Sequence, residues 1–112
     1  MCFDSGHNHC HCPGTRVCRD FKEKIFAVHL HDNFGAADQH FIPFDGNDDW
    51  TMIREELIAS SYAGPWSLEI EHPLTDKFGK KLDPADPYGG MSAEEYLARA
   101  YSAWERLVSG AF

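Results

Sequence analysis

Apolar residues along the chain gather into three short runs, each followed by a segment of helical spacing. Residues 1–4, Met-Cys-Phe-Asp, read as the tail of a strand. Residues 25–31, Ile-Phe-Ala-Val-His-Leu-His, are rich in strand formers and too short for a typical helix. Residues 66–71, Trp-Ser-Leu-Glu-Ile-Glu, alternate apolar and polar with the period of a strand. The polar stretch 5–14 predicts a loop, and residues 15–24 predict a short helix with Val17, Cys18 and Phe21 on one side. Asp48 or Asp49 is placed to cap a helix over 50–60, with Trp50, Ile53, Leu57 and Ile58 as its apolar face. Ser92 and Glu95 form a capping box for a final helix to about residue 109. Leu97, Ala100, Tyr101, Trp104, Leu107 and Val108 share one face of it, and Gly110 stands at its end. Residues 32–48 and 72–91 are long loops. The resulting order, strand then helix three times over, implies an α/β fold of parallel strands with helices packed on the sheet.

The alternation also sorts the polar side chains. In residues 25–31, Ile25, Ala27, His29 and His31 share one face, and Phe26, Val28 and Leu30 the other. In residues 66–71, Ser67, Glu69 and Glu71 oppose Trp66, Leu68 and Ile70. Each strand thus has a bulky apolar face for helices and a face carrying histidines or acids near its C-terminal end. Sites in parallel α/β folds form at that end. With Asp4 at the matching end of the first strand, neighbouring strands would direct Asp4, His29 and Glu69 into one pocket. Two carboxylates and an imidazole suit a divalent cation such as Mn²⁺, Mg²⁺, Co²⁺ or Zn²⁺. The plain alternative is a wetted strand face with packed histidines. In the loop that follows, Asp38-x-His40 is equally suited to a second metal or to a loop brace in which the carboxylate fixes the ring.

Composition narrows the field. A chain of 112 residues is the length of one domain, and its net charge of −8 comes without a basic stripe, which argues against nucleic acid. No apolar run approaches the roughly 20 residues of a membrane span, and no signal-peptide pattern is seen. A soluble, cytoplasmic protein is expected. Six of seven histidines lie in the first 40 residues, and all four cysteines (Cys2, Cys10, Cys12, Cys18) in the first 18. Disulfides so placed cannot staple the remaining chain, so reduced thiols are expected. The tract His7-Asn8-His9-Cys10-His11-Cys12 with Cys18 offers a rival, a small zinc-binding module, although its spacing is not that of a regular finger.

Taken in order, Asp4-Ser5-Gly6-His7, Val28-His29-Leu30-His31-Asp32-Asn33, Asp38-x-His40 with Pro43-Phe44-Asp45-Gly46 and Asp49-Trp50, and Leu68-Glu69-Ile70-Glu71 resemble the xylose-isomerase-like TIM-barrel superfamily, and within it the sugar phosphate isomerases and epimerases. The resemblance runs from residue 2 to about 108. It implies that residues 1–112 are a partial (β/α)₈ domain, with strands six, seven and eight at 1–4, 25–31 and 66–71. It further implies Asp4, His29 and Glu69 as metal ligands, Glu69 as an acid–base carboxylate, and His7 as a substrate contact. The earlier glutamate of the family's metal site has no counterpart here, nor does an arginine that some epimerases place near Gly35. The expected parent is a metal-dependent isomerase or epimerase acting on a small sugar or sugar phosphate by proton transfer beside a ketose carbonyl. The chain alone would be inactive, and would self-associate or pair with the missing barrel portion. Two other readings share the features: a fragment of an endonuclease-type metallohydrolase, which also uses an Asp-x-His pair, and a non-catalytic remnant that binds a partner.

Overall fold

The computed structural model describes residues 1–71 and 87–112. Three parallel strands form one sheet: β1 (Cys2–Asp4), β2 (Ala27–Leu30) and β3 (Ser67–Leu68), in the order β1-β2-β3. Asp4 is the register partner of His29, and His29 of Ser67. Four helices accompany them among the described residues: α1 (Ser5–His11), α2 (Val17–Asp20), α3 (Trp50–Ala59) and α4 (Ala93–Ser109). Phe3, Val28 and Leu30 face a core completed by Cys18, Ile25, Trp50, Ile53, Leu57 and Leu107. Cys2, His29 and Ser67, on the opposite side of the sheet, are exposed. A second cluster joins Phe41 and Ile42 of the long loop to Tyr88 and to Tyr96, Ala100 and Ala103 of α4. No helix among the described residues is long and apolar enough to cross a membrane.

The capped helices form where the sequence places them. The Asp49 side chain accepts from the Met52 amide at the start of α3. Ser92 and Glu95 make the reciprocal capping box of α4, whose end is a left-handed Gly110 at φ 76°. Arg54 of α3 donates to the Leu107 and Val108 carbonyls, which ties the two helices together.

Several expectations need correction. Residues 5–11 are helical rather than loop. Ser-Gly-His-Asn-His-Cys-His has neither apolar periodicity nor strong helix formers, so the Asp4 N-cap and two tertiary bonds hold it instead. Asp4 accepts from the His7 amide, Ser5 Oγ donates to the His31 carbonyl, and Asn33 Nδ2 donates to the Gly6 carbonyl. The helix expected over 15–24 shortens to four residues, leaving Phe21 exposed. Strands 25–31 and 66–71 contract to their central residues. Phe26, expected among the helix-facing residues, is 79 % exposed because it precedes the paired segment, while Ile25 is buried in the core. The stripe of α4 that packs is Tyr96, Ala100, Ala103 and Leu107; Leu97 (63 % exposed) and Tyr101 (60 %) lie one position round the helix, with Val108 also exposed. Ile58 of α3 is exposed too, and Glu56 takes a buried place, paired with Arg16. Most of the predicted loop 72–91 lies outside the described residues.

One carboxylate organises the loop between β2 and α3. Asp32, wholly buried, accepts four hydrogen bonds: from the Asn33 and Asp48 amides on Oδ1 (2.8 and 3.1 Å), and from the Phe44 amide and Trp50 Nε1 on Oδ2 (3.0 and 2.7 Å). Its backbone pairs with Phe41 in an antiparallel bridge. Gly46 passes so close that a Cβ would stand 2.4 Å from Asp32 Oδ1 and 2.3 Å from the Asn33 carbonyl oxygen. Replacing Asp32 with alanine strands several buried donors, and each charge-assisted bond contributes roughly 1.5–3 kcal/mol. Urea denaturation of the 112-residue chain is expected to show Asp32→Ala destabilised by about 3 kcal/mol or more, and Trp50→Phe by about 1.5 kcal/mol.

Candidate metal centre

The parallel register sets the site. Asp4 ends β1 and His29 lies directly across from it, while Glu69 follows β3 with its amide donating to the Leu30 carbonyl at 3.0 Å. His29 Nδ1 lies 3.3 Å from Glu69 Oε2. One ligand atom each from Asp4, His29 and Glu69 lies within 4.8 Å of the others. Two ligands about 2.1 Å from one ion stand roughly 3.0–3.4 Å apart, so the donor set suits a divalent cation and the His29–Glu69 separation matches that span.

Within this group Asp4 is the more heavily engaged of the two carboxylates. Oδ1 accepts from the His7 amide and from His31 Nε2, both at 2.8 Å, and Oδ2 lies 3.0 Å from His7 Nδ1. Partial burial opposes its ionisation, but the bond from His31, the His7 amide and the two nearby imidazoles prevail and hold it down at about 2.

A second cluster adjoins the first. Asp38 Oδ2 lies 2.8 Å from His7 Nε2 and 3.1 Å from His40 Nε2, and ligand atoms of His7, Asp38 and His40 fall within 4.8 Å. His40 Nδ1 donates to the Glu69 carbonyl at 3.0 Å. Partial burial works against the charged His40 ring, yet that carbonyl and the Asp38 carboxylate raise its pKa. Asp38 is lowered in turn, by bonds from His7 and the charge of His40 against the cost of partial burial. His40 takes this position on a left-handed backbone, φ 52°. Asp38 therefore braces the loop, and it also completes a three-residue group whose atoms could hold a cation. His7 links the two clusters, since its ring lies between the Asp4 and Asp38 carboxylates.

His31, which the sequence reading left unassigned, lies at the junction. It is 0 % exposed, bonds Asp4 through Nε2, and stacks face to face on His40 with centroids 4.1 Å apart and planes at 3°. Ligand atoms of His31, His40 and Glu69 form a third group within 4.8 Å. The available signal was the His29-x-His31 alternation on one strand face.

The rival Cys/His module is not assembled. Helix α1 fans out the side chains of residues 7–11, and His9 turns to Asn47 Oδ1 at 2.8 Å. Cys18 is buried in the core, where burial and then Glu56 push its thiol up to about 12. All four cysteines are free, and no candidate metal group among the described residues includes one.

Comparison with known proteins bears on the fold. The xylose isomerase-like TIM barrel family model matches residues 1–90. The chain is 35 % identical over 108 residues to the uncharacterized protein y4fM of Sinorhizobium fredii, a match covering 96 % of this chain and 30 % of that protein. No solved structure gives a significant match.

The Asp4 carboxyl ionises at about 2 in the fold and near 3.9 when unfolded, so its stabilisation is full above about pH 4 and lost as pH falls through 2. Denaturation of the metal-free chain between pH 5 and pH 2 is expected to show an acid limb of about 2 kcal/mol from this residue, absent in Asp4→Asn.

Proposed function

The chain belongs to the xylose isomerase-like TIM barrel family, and on that footing we propose that it supplies strands six to eight of a divalent-metal-dependent sugar or sugar phosphate isomerase or epimerase of the cytoplasm. The chain spans 30 % of the length of its Sinorhizobium relative, and a whole barrel takes typically 250 residues. The observation that carries the reading is the convergence of Asp4, His29 and Glu69 from three adjacent parallel strands.

In this reading Asp4, His29 and Glu69 hold the cation. Bound there, a divalent metal supplies Lewis acidity toward a ketose carbonyl and its neighbouring hydroxyl. Glu69, whose side chain opens toward solvent, takes or returns the proton on the adjacent carbon. A second carboxylate for the opposite face comes from outside residues 1–112, so the chain alone is inactive. His7, half-exposed beside Asp4, contacts the substrate in this reading by giving up one of its two ring contacts, to Asp4 or to Asp38.

A second reading, an endonuclease-type metallohydrolase fragment, is favoured by the His7–Asp38–His40 cluster, which provides room for another cation. The net charge of −8 favours a sugar over a polyanionic substrate.

Titration calorimetry with Mn²⁺ tests the centre. The unaltered chain is expected to bind, with Asp4→Asn, His29→Ala and Glu69→Gln each weakening binding at least about 10- to 100-fold. The triple change of Cys10, Cys12 and Cys18 to serine should leave it intact; the opposite pattern would overturn the proposal. Loss of a second equivalent in His40→Ala would favour the metallohydrolase reading.

The remaining βα units of the barrel are the partner that this chain lacks. Parallel sheets are covered on both faces, yet β1 and β3 each have one outer edge unpaired among the described residues, and Leu97, Tyr101 and Val108 stand exposed. Alone, the chain is expected to self-associate through these surfaces. A compact monomer at micromolar concentration in light scattering would count against it.

A further inference from the structure

His31 has the anatomy of a positioning residue. Its backbone is clamped by Ser5, whose Oγ donates to the His31 carbonyl at 2.7 Å and accepts from the His31 amide at 3.0 Å. Beneath its ring lies Gly6, where a Cβ would stand 2.0 Å from Cε1 and 2.3 Å from Nδ1. Above it lies the parallel ring of His40. Backbone clamp, glycine floor and imidazole ceiling leave the side chain one orientation, and it is fully buried.

That orientation has one strong polar consequence. The Asp4 carboxylate can only accept, so Nε2 carries the proton and donates to Oδ1 at 2.8 Å. The bond occupies one oxygen and fixes the carboxylate plane. Nδ1 is buried with no hydrogen-bond partner among the described residues, and it lies 3.8 Å from Asp38 Oδ1, in the other cluster. A buried polar atom left so is costly, and packing alone would be served better by an apolar side chain. The ring is placed between carboxylates of two different ligand sets.

We infer that His31 is the residue that orients Asp4 for metal binding, acting through its Nε2–H, and that Gly6 is glycine because this ring must lie against its backbone. The inference rests on the metal-centre reading above and extends it to a residue that is not itself needed as a ligand. Partners that orient ligands in this way typically change metal affinity by about 10- to 100-fold when removed.

The test is a Co²⁺ titration of the 112-residue chain, followed by visible absorption, with urea denaturation of each metal-free variant alongside. His31→Phe keeps a flat ring against Gly6 and His40 but lacks the donor; its cobalt affinity is expected to fall by about 10- to 100-fold. His31→Gln places an amide N–H near the position of Nε2, and His31→Asn near that of Nδ1. Gln should recover most of the affinity, and Asn should resemble Phe. This pair is matched in chemistry, so the contrast holds even where Phe impairs folding. Equal weakening by Gln and Asn, or wild-type affinity in all three, overturns the inference while leaving the metal centre standing. A wild-type chain that binds no cobalt overturns both.

Discussion

A single buried carboxylate, Asp32, sets where everything after β2 can go. It collects donors from residues 33, 44, 48 and 50, so strand end, loop and helix start converge on two oxygen atoms. An ion in the interior is tolerated when its lone pairs are filled, and four donors fill them. The same residue pairs its backbone with Phe41. Between those two anchors the chain swings out and back, and it is this return that brings Asp38 and His40 over the ends of the strands. Trp50 is both a core residue and a donor to Asp32, which couples the hydrophobic packing of α3 to the geometry of the site.

Around the strand ends the structure concentrates charge and imidazole to an unusual degree. Asp4, Asp38 and Glu69 are interleaved with His7, His29, His31 and His40, and the acids with shifted pKa values, Asp4 and Asp38, are both stabilised as anions. Apart from a bound cation, the arrangement holds together through bonds from ring nitrogens to carboxylates. Except for His31 Nε2, which stays on Asp4, those ring nitrogens are the atoms that a metal would take over in the proposed centre. The farther side of α4 is steadied by different means: Arg99 and the Tyr88 hydroxyl both reach Asp45, and Arg106 lies 4.2 Å from the Phe44 ring centroid. The loop that carries His40 is thus gripped from the sheet side and from the helix side.

Much of this was readable in the residues. Period-two alternation identified the strand faces carrying His29 and Glu69, and side-chain caps located the starts of α3 and α4, because both signals are local. Helix α1 was hidden since its stability comes from Asp4, His31 and Asn33 rather than from its own residues. Which side of α4 packs could not be resolved either. Two adjacent apolar stripes are present, and only the position of Tyr88 and the loop decides that Tyr96, Ala100 and Ala103 turn inward. His31 was seen as one of two histidines on a strand face. Its role depends on Gly6, 25 positions earlier in the chain, making room for its ring.

His40 illustrates how fold and site pull in different directions. A left-handed backbone at a residue with a side chain costs about 1 kcal/mol or more, whereas glycine adopts it freely. Judged by stability alone, residue 40 should drift toward glycine, and with it would go the ring that stacks on His31 and meets Asp38. An effort to harden this protein by relaxing its backbone would find a gain at that position, as it would at Phe44 with its φ of 76°, but at His40 it would erase part of the candidate ligand group in the same step.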